Sequence, residues 1–306
     1  MAGLSVSIMA LLSACGALGM SNDVAQDTSL ESRGYFSTKR LVTTKWVSEN
    51  NSNNSVKIVD VRKPEDYNAG HIPGALNYPS SELQVEANGI RGMLPPGETI
   101  ASKLSSLGIK PTDTIVVYDG IKSLWSSRFL WTLAVYGHED ARIMDGAWGI
   151  WESEGKSVSV ESPSTTPSNY KFTSAKNESL IIDLQAIEAS IADSGSVVLD
   201  TRSAEEYAGR DNRDNLRHGH IPASVHVEWK QNLDAEGKFL AFSELKALYN
   251  SADIDDELDI FTLCQTAVRA THSWFVLTDL LGYDNVSVYD GSWAEWGNKE
   301  NTPIDS

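Results

Sequence analysis

The chain has 306 residues, 41% hydrophobic and 22% charged, values ordinary for a soluble globular protein and a length that suggests two domains. Its net charge of −17 argues against nucleic acid or anionic lipid as an electrostatic partner, and any anionic ligand must be met by positive charge gathered locally. Two cysteines, Cys15 and Cys264, make one internal disulfide arithmetically possible, but no Cys/His spacing resembles a zinc site, and neither a metal nor an organic cofactor is expected.

The first segment is apolar from Leu4 to Ala14. That is shorter than the roughly 20 residues a spanning helix needs and suits the apolar region of a secretory signal. Its end, Leu12-Ser13-Ala14-Cys15, resembles a bacterial lipobox, in which the cysteine is lipidated and becomes the mature N-terminus, although no Lys or Arg precedes the apolar run. The residues that follow read as a flexible tether. Residues 1–36 are therefore expected to stand outside the folded body, with the protein in the periplasm, lipid-anchored through Cys15 or, failing that, soluble.

The next segments repeat. VKIVDVRKPEDYNAGHIPGALNYP, residues 56–79, resembles GSVVLDTRSAEEYAGRDNRDNLRHGHIPASVHVE, residues 195–228. Each has a β-branched run, then Asp-x-Arg, an acidic pair with Tyr, and His-Ile-Pro. Residues 114–151 pair with residues 259–296 without gaps, at a constant offset of 145 (282 − 137, for Gly137 and Gly282). At that offset Asp145 matches Asp290, Trp148 matches Trp293, and Asp119 falls opposite Cys264. A self-similarity of this length implies two copies of one unit. The Ser/Thr/Pro-rich stretch at 156–178 reads as the linker. One domain is then expected over 37–155 and another over 179–300.

Within each copy, short apolar runs alternate with helical stretches. KIVDV, TIVVYD and ARIMDG in the first copy correspond to SVVLDT, DIFTLC and VSVYDG in the second. Continuous runs suit strands buried on both faces, and strand–helix alternation predicts an α/β fold with a mainly parallel sheet in each domain. In such sheets ligands sit beyond the carboxyl ends of the strands, and Cys264 stands at one such end. Asp-x-Arg in both copies (Asp60/Arg62, Asp200/Arg202) is expected to be a structural pair. His71 and His220 are expected to bond backbone in the turns before Pro73 and Pro222, and Trp148 and Trp293 to pack.

With Asp-x-Arg, His-Ile-Pro, the cysteine loop and Asp-Gly-x-Trp in order, the region from about 40 to 297 resembles the tandem-domain rhodanese family, the thiosulfate and mercaptopyruvate sulfurtransferases. The resemblance implies a C-terminal catalytic domain bearing the active cysteine, Cys264, and an N-terminal domain with an acidic residue in its place, here Asp119. It also implies arginines supplied to the substrate from the stretch before His-Ile-Pro in the second copy. That stretch, the insertion Gly209–His218, holds Arg210, Arg213 and Arg217, of which Arg210 and Arg217 are the expected contacts.

The loop Cys264-Gln265-Thr266-Ala267-Val268-Arg269 makes chemical sense in its own right. Successive backbone N–H groups between a strand and a helix form an anion site, and the helix expected over about 270–281 adds the positive end of its dipole. A thiolate is stabilised in such a place and is the nucleophilic form. It could take the outer sulfur of thiosulfate, hold it as a persulfide, and pass it to a thiol or cyanide. Arg269 is the expected fixed charge for a sulfonate, since its planar fork matches oxyanions. Thr266 can add one hydroxyl bond or cap the helix, and Gln265 could face solvent. Mercaptopyruvate as donor, or a persulfide carrier without turnover, are the alternatives. A cysteine phosphatase is disfavoured: those enzymes use a Cys-x5-Arg loop, whereas Cys264 and Arg269 are one residue closer. Asp119 rules out sulfur nucleophilicity in the first copy, which is expected to be scaffold.

Overall fold

The computed structural model describes residues 24–306; the apolar segment and Cys15 lie outside the described residues. The first half runs β1 (Leu41–Val42), α1 (Thr44–Asn50), β2 (Val56–Asp60), α2 (Pro64–Ala69), β3 (Leu76–Asn77), β4 (Val85–Ala87), β5 (Ile90–Met93), α3 (Gly97–Ser106), β6 (Thr114–Tyr118), α4 (Leu124–Tyr136), β7 (Ala141–Met144) and α5 (Ala147–Ser153). The second half runs β8 (Ile181–Ile182), α6 (Leu184–Ser190), β9 (Ser196–Asp200), α7 (Ala204–Tyr207), β10 (Val225–His226), α8 (Phe242–Asn250), β11 (Asp259–Leu263), α9 (Val268–Phe275), β12 (Val286–Tyr289) and α10 (Ser292–Trp296).

Each half builds one five-stranded sheet, in the orders β1-β7-β6-β2-β3 and β8-β12-β11-β9-β10. Every pairing in both sheets is parallel, so the two orders are one topology written twice. The β-branched runs explain the central strands: Ile115, Val116 and Val117 in β6, and Ile260 and Leu263 in β11, are buried from both faces. Helix α4 is apolar nearly all round because it is buried all round, with Phe129, Leu130, Trp131 and Leu133 closed off from solvent. It packs against α9 of the other half. Gly137 ends α4 at φ 82°, a left-handed cap that glycine adopts without strain. Its repeat partner Gly282 has φ 78°. The expected helix over 270–281 starts earlier, at Val268, and from Val276 to Leu280 winds as a π-helix.

The halves meet through reciprocal contacts. The Asp290 carboxylate accepts the Leu94 N–H at 2.7 Å, and the Asp145 carboxylate accepts the Phe239 N–H at 3.1 Å. Both members of one bond stand 145 residues (290 − 145, 239 − 94) from those of the other, so the interface carries a local two-fold. Each half also lays a β-turn over the other's strand-to-helix loop. The β4–β5 hairpin brings Gly92 onto Thr266, where a Cβ would come within 2.5 Å of the Thr266 Cβ, and the matching Gly237 lies on Lys122. Only one side has a fully buried cation: Arg128 Nη1 lies 2.7 Å from Asp290, while Asp145 is met by Arg33 at 3.4 Å.

Arg33 belongs to a segment expected to be free tether. Residues 24–36 instead form an ordered strap around a short 3-10 helix, Thr28–Arg33. Asp27 accepts from the Thr43 N–H (2.8 Å) and hydroxyl (2.6 Å), and the Phe36 N–H donates to the Leu280 carbonyl (2.9 Å). The strap therefore touches both halves. Backbone amides need partners wherever they are buried, and these contacts supply them. At the other end, Asp305 pairs with His220 as Ser159 pairs with His71, so the tail beyond 300 is part of the second half. Among the described residues no helix is long and apolar enough to cross a membrane, and no cluster of His, Cys, Asp or Glu could hold a metal.

Candidate active site

Cys264 directly follows β11 at the carboxyl edge of the second sheet and is 1% exposed. The backbone turns sharply after it. Ala267 takes φ 60°, as its repeat partner Lys122 takes φ 53°, a left-handed conformation that costs a non-glycine residue roughly 1–2 kcal/mol. Ser292 holds the turn in place. Its hydroxyl accepts the N–H groups of Cys264 (3.2 Å) and Ala267 (3.1 Å) and donates to the Tyr289 carbonyl (2.8 Å). The Trp293 N–H donates to the Cys264 carbonyl (2.9 Å) and the Ala294 N–H to that of Gln265 (2.9 Å).

The first half shows what this loop binds. The Asp119 carboxylate accepts four backbone N–H groups, from Ile121 (2.8 Å), Ser123 (3.1 Å), Trp125 (2.6 Å) and Ser126 (3.0 Å). Burial raises its pKa above the ordinary carboxylate value, and the four donors oppose that shift. The repeat partners of the first three donors are Thr266, Val268 and Ala270. Among the described residues their amides have no protein acceptor. One copy of the loop thus carries its own anion, and the other leaves three of the four counterpart donors open in the loop that follows a cysteine, the fourth, the Thr271 N–H, donating to the Ala267 carbonyl (2.9 Å). The Asp119 carboxylate occupies the cradle of the first copy, which fits the expectation that this half is scaffold.

The predicted contacts of Cys264 divide into those the fold gathers and those it does not. Arg269 is beside the site, but both terminal nitrogens end on Glu206, at 2.5 and 2.8 Å. Burial would lower the Arg269 pKa, but Glu206 and the nearby Cys264 sulfur outweigh it and raise it. Burial would raise Glu206, but the arginine fork and Ser203 hold it down at about 2. Gln265 does not face solvent. It is 7% exposed and forms a two-way amide pair with Asn215 of the insertion, at 3.0 and 3.1 Å. Thr266 does not cap the helix, whose cap is Ala267 with no side-chain bond. Its hydroxyl and carbonyl both accept from Gln84 of the other half, at 3.2 and 3.1 Å.

Two expected contacts are corrected. Arg210 faces solvent and pairs with Glu205 (2.5 Å). Arg217 turns away from Cys264 and clamps the C-terminal segment, donating to the carbonyls of Trp296 (3.0 Å) and Thr302 (2.8 Å). Guanidinium groups seek carbonyl and carboxylate oxygens wherever the fold offers them, and both arginines find nearer ones than a ligand in the pocket. The supporting pairs hold as expected. Asp60–Arg62 and Asp200–Arg202 are each bridged at 2.6 Å and buried. His71 and His220 bond the carbonyls of Tyr67 (2.8 Å) and Tyr207 (2.9 Å). Trp293 is buried and Trp148 half-buried, each under an arginine at 4.1 Å.

Sequence reasoning missed Ser292, Asn215, Glu206 and Gln84. Ser292 had a signal: its repeat partner is Ala147, so a hydroxyl appears only in the half that bears the sulfur. Glu206 hid inside an acidic pair, and Asn215 and Gln84 come from remote segments.

Two copies of a parallel α/β unit, one carrying a cysteine and open amides directly after a central strand, define a tandem α/β protein with one cysteine site among the described residues. The chain belongs to the rhodanese-like domain family, whose model matches residues 43–154 and again 183–299. It is 32% identical over 289 residues to a protein of Corynebacterium glutamicum named thiosulfate sulfurtransferase, covering 89% of this chain and 92% of that one. It is 34% identical to the sulfur carrier protein TtuD of Thermus thermophilus, covering 89% and 98%. The fold is shared with the anaerobic ergothioneine biosynthesis enzyme of Chlorobium limicola, with a TM-score of 0.80 at 21% identity over 89% of this chain and 71% of that one.

Proposed function

We propose that the protein is a sulfurtransferase that moves sulfane sulfur from thiosulfate to a thiophilic acceptor through a persulfide on Cys264. The observation that carries this reading is the contrast between the loops: four amides close on the Asp119 carboxylate in one, and in the other three of their four counterparts, those of Thr266, Val268 and Ala270, have no protein acceptor among the described residues. The Cys264 thiolate attacks the outer sulfur of thiosulfate. The S–S bond of the donor breaks, and sulfite leaves with the electron pair. The transferred sulfur then carries the negative charge within reach of the Thr266, Val268 and Ala270 amides, the place where preorganised donors contribute most. A thiol or cyanide takes that sulfur and returns the thiolate.

Arg269, neutralised by Glu206, acts here mainly by fixing α9 against α7, so the amides do most of the anion binding. The name of the Thermus relative favours one further reading, a carrier that is sulfurated once and hands its sulfur to a partner. Steady-state release of sulfite from thiosulfate, and of pyruvate from mercaptopyruvate, with cyanide as acceptor, separates the readings. Sustained sulfite release supports the enzyme, and a single stoichiometric burst supports the carrier. Substantial turnover by Cys264→Ser would refute both. We also propose export and lipid anchoring through Cys15, carried by the Leu12–Cys15 sequence. Recovery of only the uncleaved, unlipidated chain from the cytoplasm would contradict it.

A further inference from the structure

The first half reaches the Cys264 loop at Thr266. Gln84 ends the short 3-10 helix Ser80–Leu83, and its side-chain amide donates to the Thr266 carbonyl at 3.1 Å and to the Thr266 hydroxyl at 3.2 Å. Gly92 makes the approach possible: a Cβ there would meet the Thr266 Cβ at 2.5 Å and Gln84 Nε2 at 3.3 Å. The hairpin that carries Gly92 is itself fixed. The Gly92 carbonyl accepts from Arg128 Nη2 (3.1 Å), and the Leu94 N–H donates to Asp290 (2.7 Å).

The Thr266 carbonyl and the Ala267 N–H belong to one peptide group, and each end has its own partner. Gln84 donates to the carbonyl, and the Ser292 hydroxyl accepts the N–H at 3.1 Å. This peptide precedes the strained residue of the loop, Ala267 at φ 60°. Turning the peptide over would return Ala267 to negative φ, which an alanine adopts freely. It would also break both bonds at once. The peptide lies between the open amides of Thr266 and Val268, so the course of the chain from one to the other depends on its orientation. The first copy is held differently. There the Ile121 carbonyl accepts the Leu124 N–H of its own helix (3.1 Å), and the Asp119 carboxylate gathers the amides. The residues in the places of Ser292 and Gln84 are Ala147 and Leu233, the latter ending the matching 3-10 helix Trp229–Asn232. Both polar partners thus occur only at the loop that bears the sulfur.

We propose that Gln84 is a positioning residue for sulfur transfer: with Ser292 it holds the Thr266–Ala267 peptide in the orientation that keeps the amides of the loop available to an anion at Cys264. The site is then completed by both halves. The inference rests on the reading of Cys264 as the sulfur nucleophile and gives the first half a part in the reaction beyond scaffold. Gln84 acts through the loop and not on the reacting sulfur atoms. Amides held in place favour the ionised form of a thiol and of the persulfide that follows it. Loss of the Gln84 bonds therefore raises the pH at which Cys264 ionises and slows its sulfuration.

The test follows the pH dependence of Cys264 alkylation by iodoacetamide in the full chain, read at the Cys264 peptide by mass spectrometry. Wild type is compared with Gln84→Leu, which installs the residue type of the counterpart Leu233, and with Gln84→Glu. In Gln84→Leu the pH midpoint of alkylation should rise by about one pH unit. Sulfuration by thiosulfate at neutral pH should slow about tenfold. In Gln84→Glu the ionised carboxylate can only accept, so it turns its charge on the Thr266 carbonyl, and the midpoint should rise at least as far. Protonating that carboxyl restores a donor. The sulfuration rate of Gln84→Glu relative to wild type should therefore recover as pH falls toward about 4. A wild-type alkylation midpoint in both variants, or a relative rate that does not recover on acidification, would overturn the proposal even where the thermal midpoint falls, since Gln84 would then serve stability alone. A midpoint that shifts as expected, in a protein whose wild type takes no sulfur from thiosulfate, would sink the sulfurtransferase reading and leave the role of Gln84 standing.

Discussion

Asp119 and Cys264 occupy the same point of two copies of one loop. The carbonyl of each accepts the N–H of the tryptophan that follows the last strand of its sheet, Trp148 at 2.8 Å and Trp293 at 2.9 Å. The third residue after each has positive φ. What differs is the side chain at the root of the turn, together with the next residue's backbone (Ser123 has φ 65°, while its counterpart Val268 begins α9), and with them the fate of the amides. A carboxylate long enough to reach them folds into the cradle and fills it. A thiol is shorter, and three of the four counterpart amides have no protein acceptor among the described residues. The chemistry proposed for the second half thus follows from the side chain at this point together with the backbone that carries it.

Ser292 is the residue on which the open cradle depends. Replacing it with Ala removes the acceptor for two buried amides, each costing roughly 1–3 kcal/mol when left unpaired. Ser292→Ala should lower stability by about 2 kcal/mol in urea titration and slow sulfuration of Cys264 more than tenfold. Ala147→Ser, the reciprocal change in the first half, should leave the rate of sulfuration unaltered.

The Glu206–Arg269 pair should be visible in the pH dependence of stability. The Glu206 carboxyl sits at about 2 against an ordinary 4.5. A lowered folded-state pKa contributes stability that is present above 4.5 and lost as pH falls toward 2. Glu206→Gln should be less stable than wild type at neutral pH by on the order of 2–3 kcal/mol. The two unfolding curves should converge as pH falls through that window. Groups common to both proteins cancel in the difference, so parallel curves would mean that the pair contributes nothing.

Asn215 closes the pocket from the insertion. It pairs with Gln265 and accepts from Asn298 at 2.9 Å. Asn215→Ala removes that plug without touching the sulfur. Alkylation of Cys264 by iodoacetamide should quicken several-fold, and the thermal midpoint should fall because the buried Gln265 amide loses both of its partners. Equal rates in variant and wild type would show that access runs by another route.

The Arg128–Asp290 bridge ties the halves together at a buried interface. Removing one partner leaves an uncompensated charge, a loss of about 3–5 kcal/mol. Arg128→Met should therefore destabilise the protein strongly by calorimetry. Arg33→Met, at the half-exposed counterpart beside Asp145, should cost much less.

Most of the fold could be read from the sequence because it is written twice. Apolar runs such as TIVVY and DIFTL, alternating with helical stretches, suit strands of a covered parallel sheet, and the ungapped offset aligns every residue of the Cys264 loop with a partner. Cys264 stood out for the same reason, facing an aspartate across the repeat. The surrounding contacts were less legible. Gln84 and Gly92 reach Thr266 because the hairpin crosses a local two-fold that no linear pattern marks. The expectation for Arg210 and Arg217 rests on the family resemblance of the insertion that carries them, and a guanidinium's sequence position does not state which oxygen it will find. The strap at 24–36 looked like tether because its polar composition hides the few anchors, Asp27, Arg33 and Tyr35, that hold it.

The central claim is tested most directly by intact-protein mass spectrometry after treatment with thiosulfate. The account predicts a gain of one sulfur atom, located on the Cys264 peptide, lost on addition of cyanide, and absent in Cys264→Ser. No gain on Cys264 under conditions in which the protein releases sulfite, or an equal gain in Cys264→Ser, would contradict it.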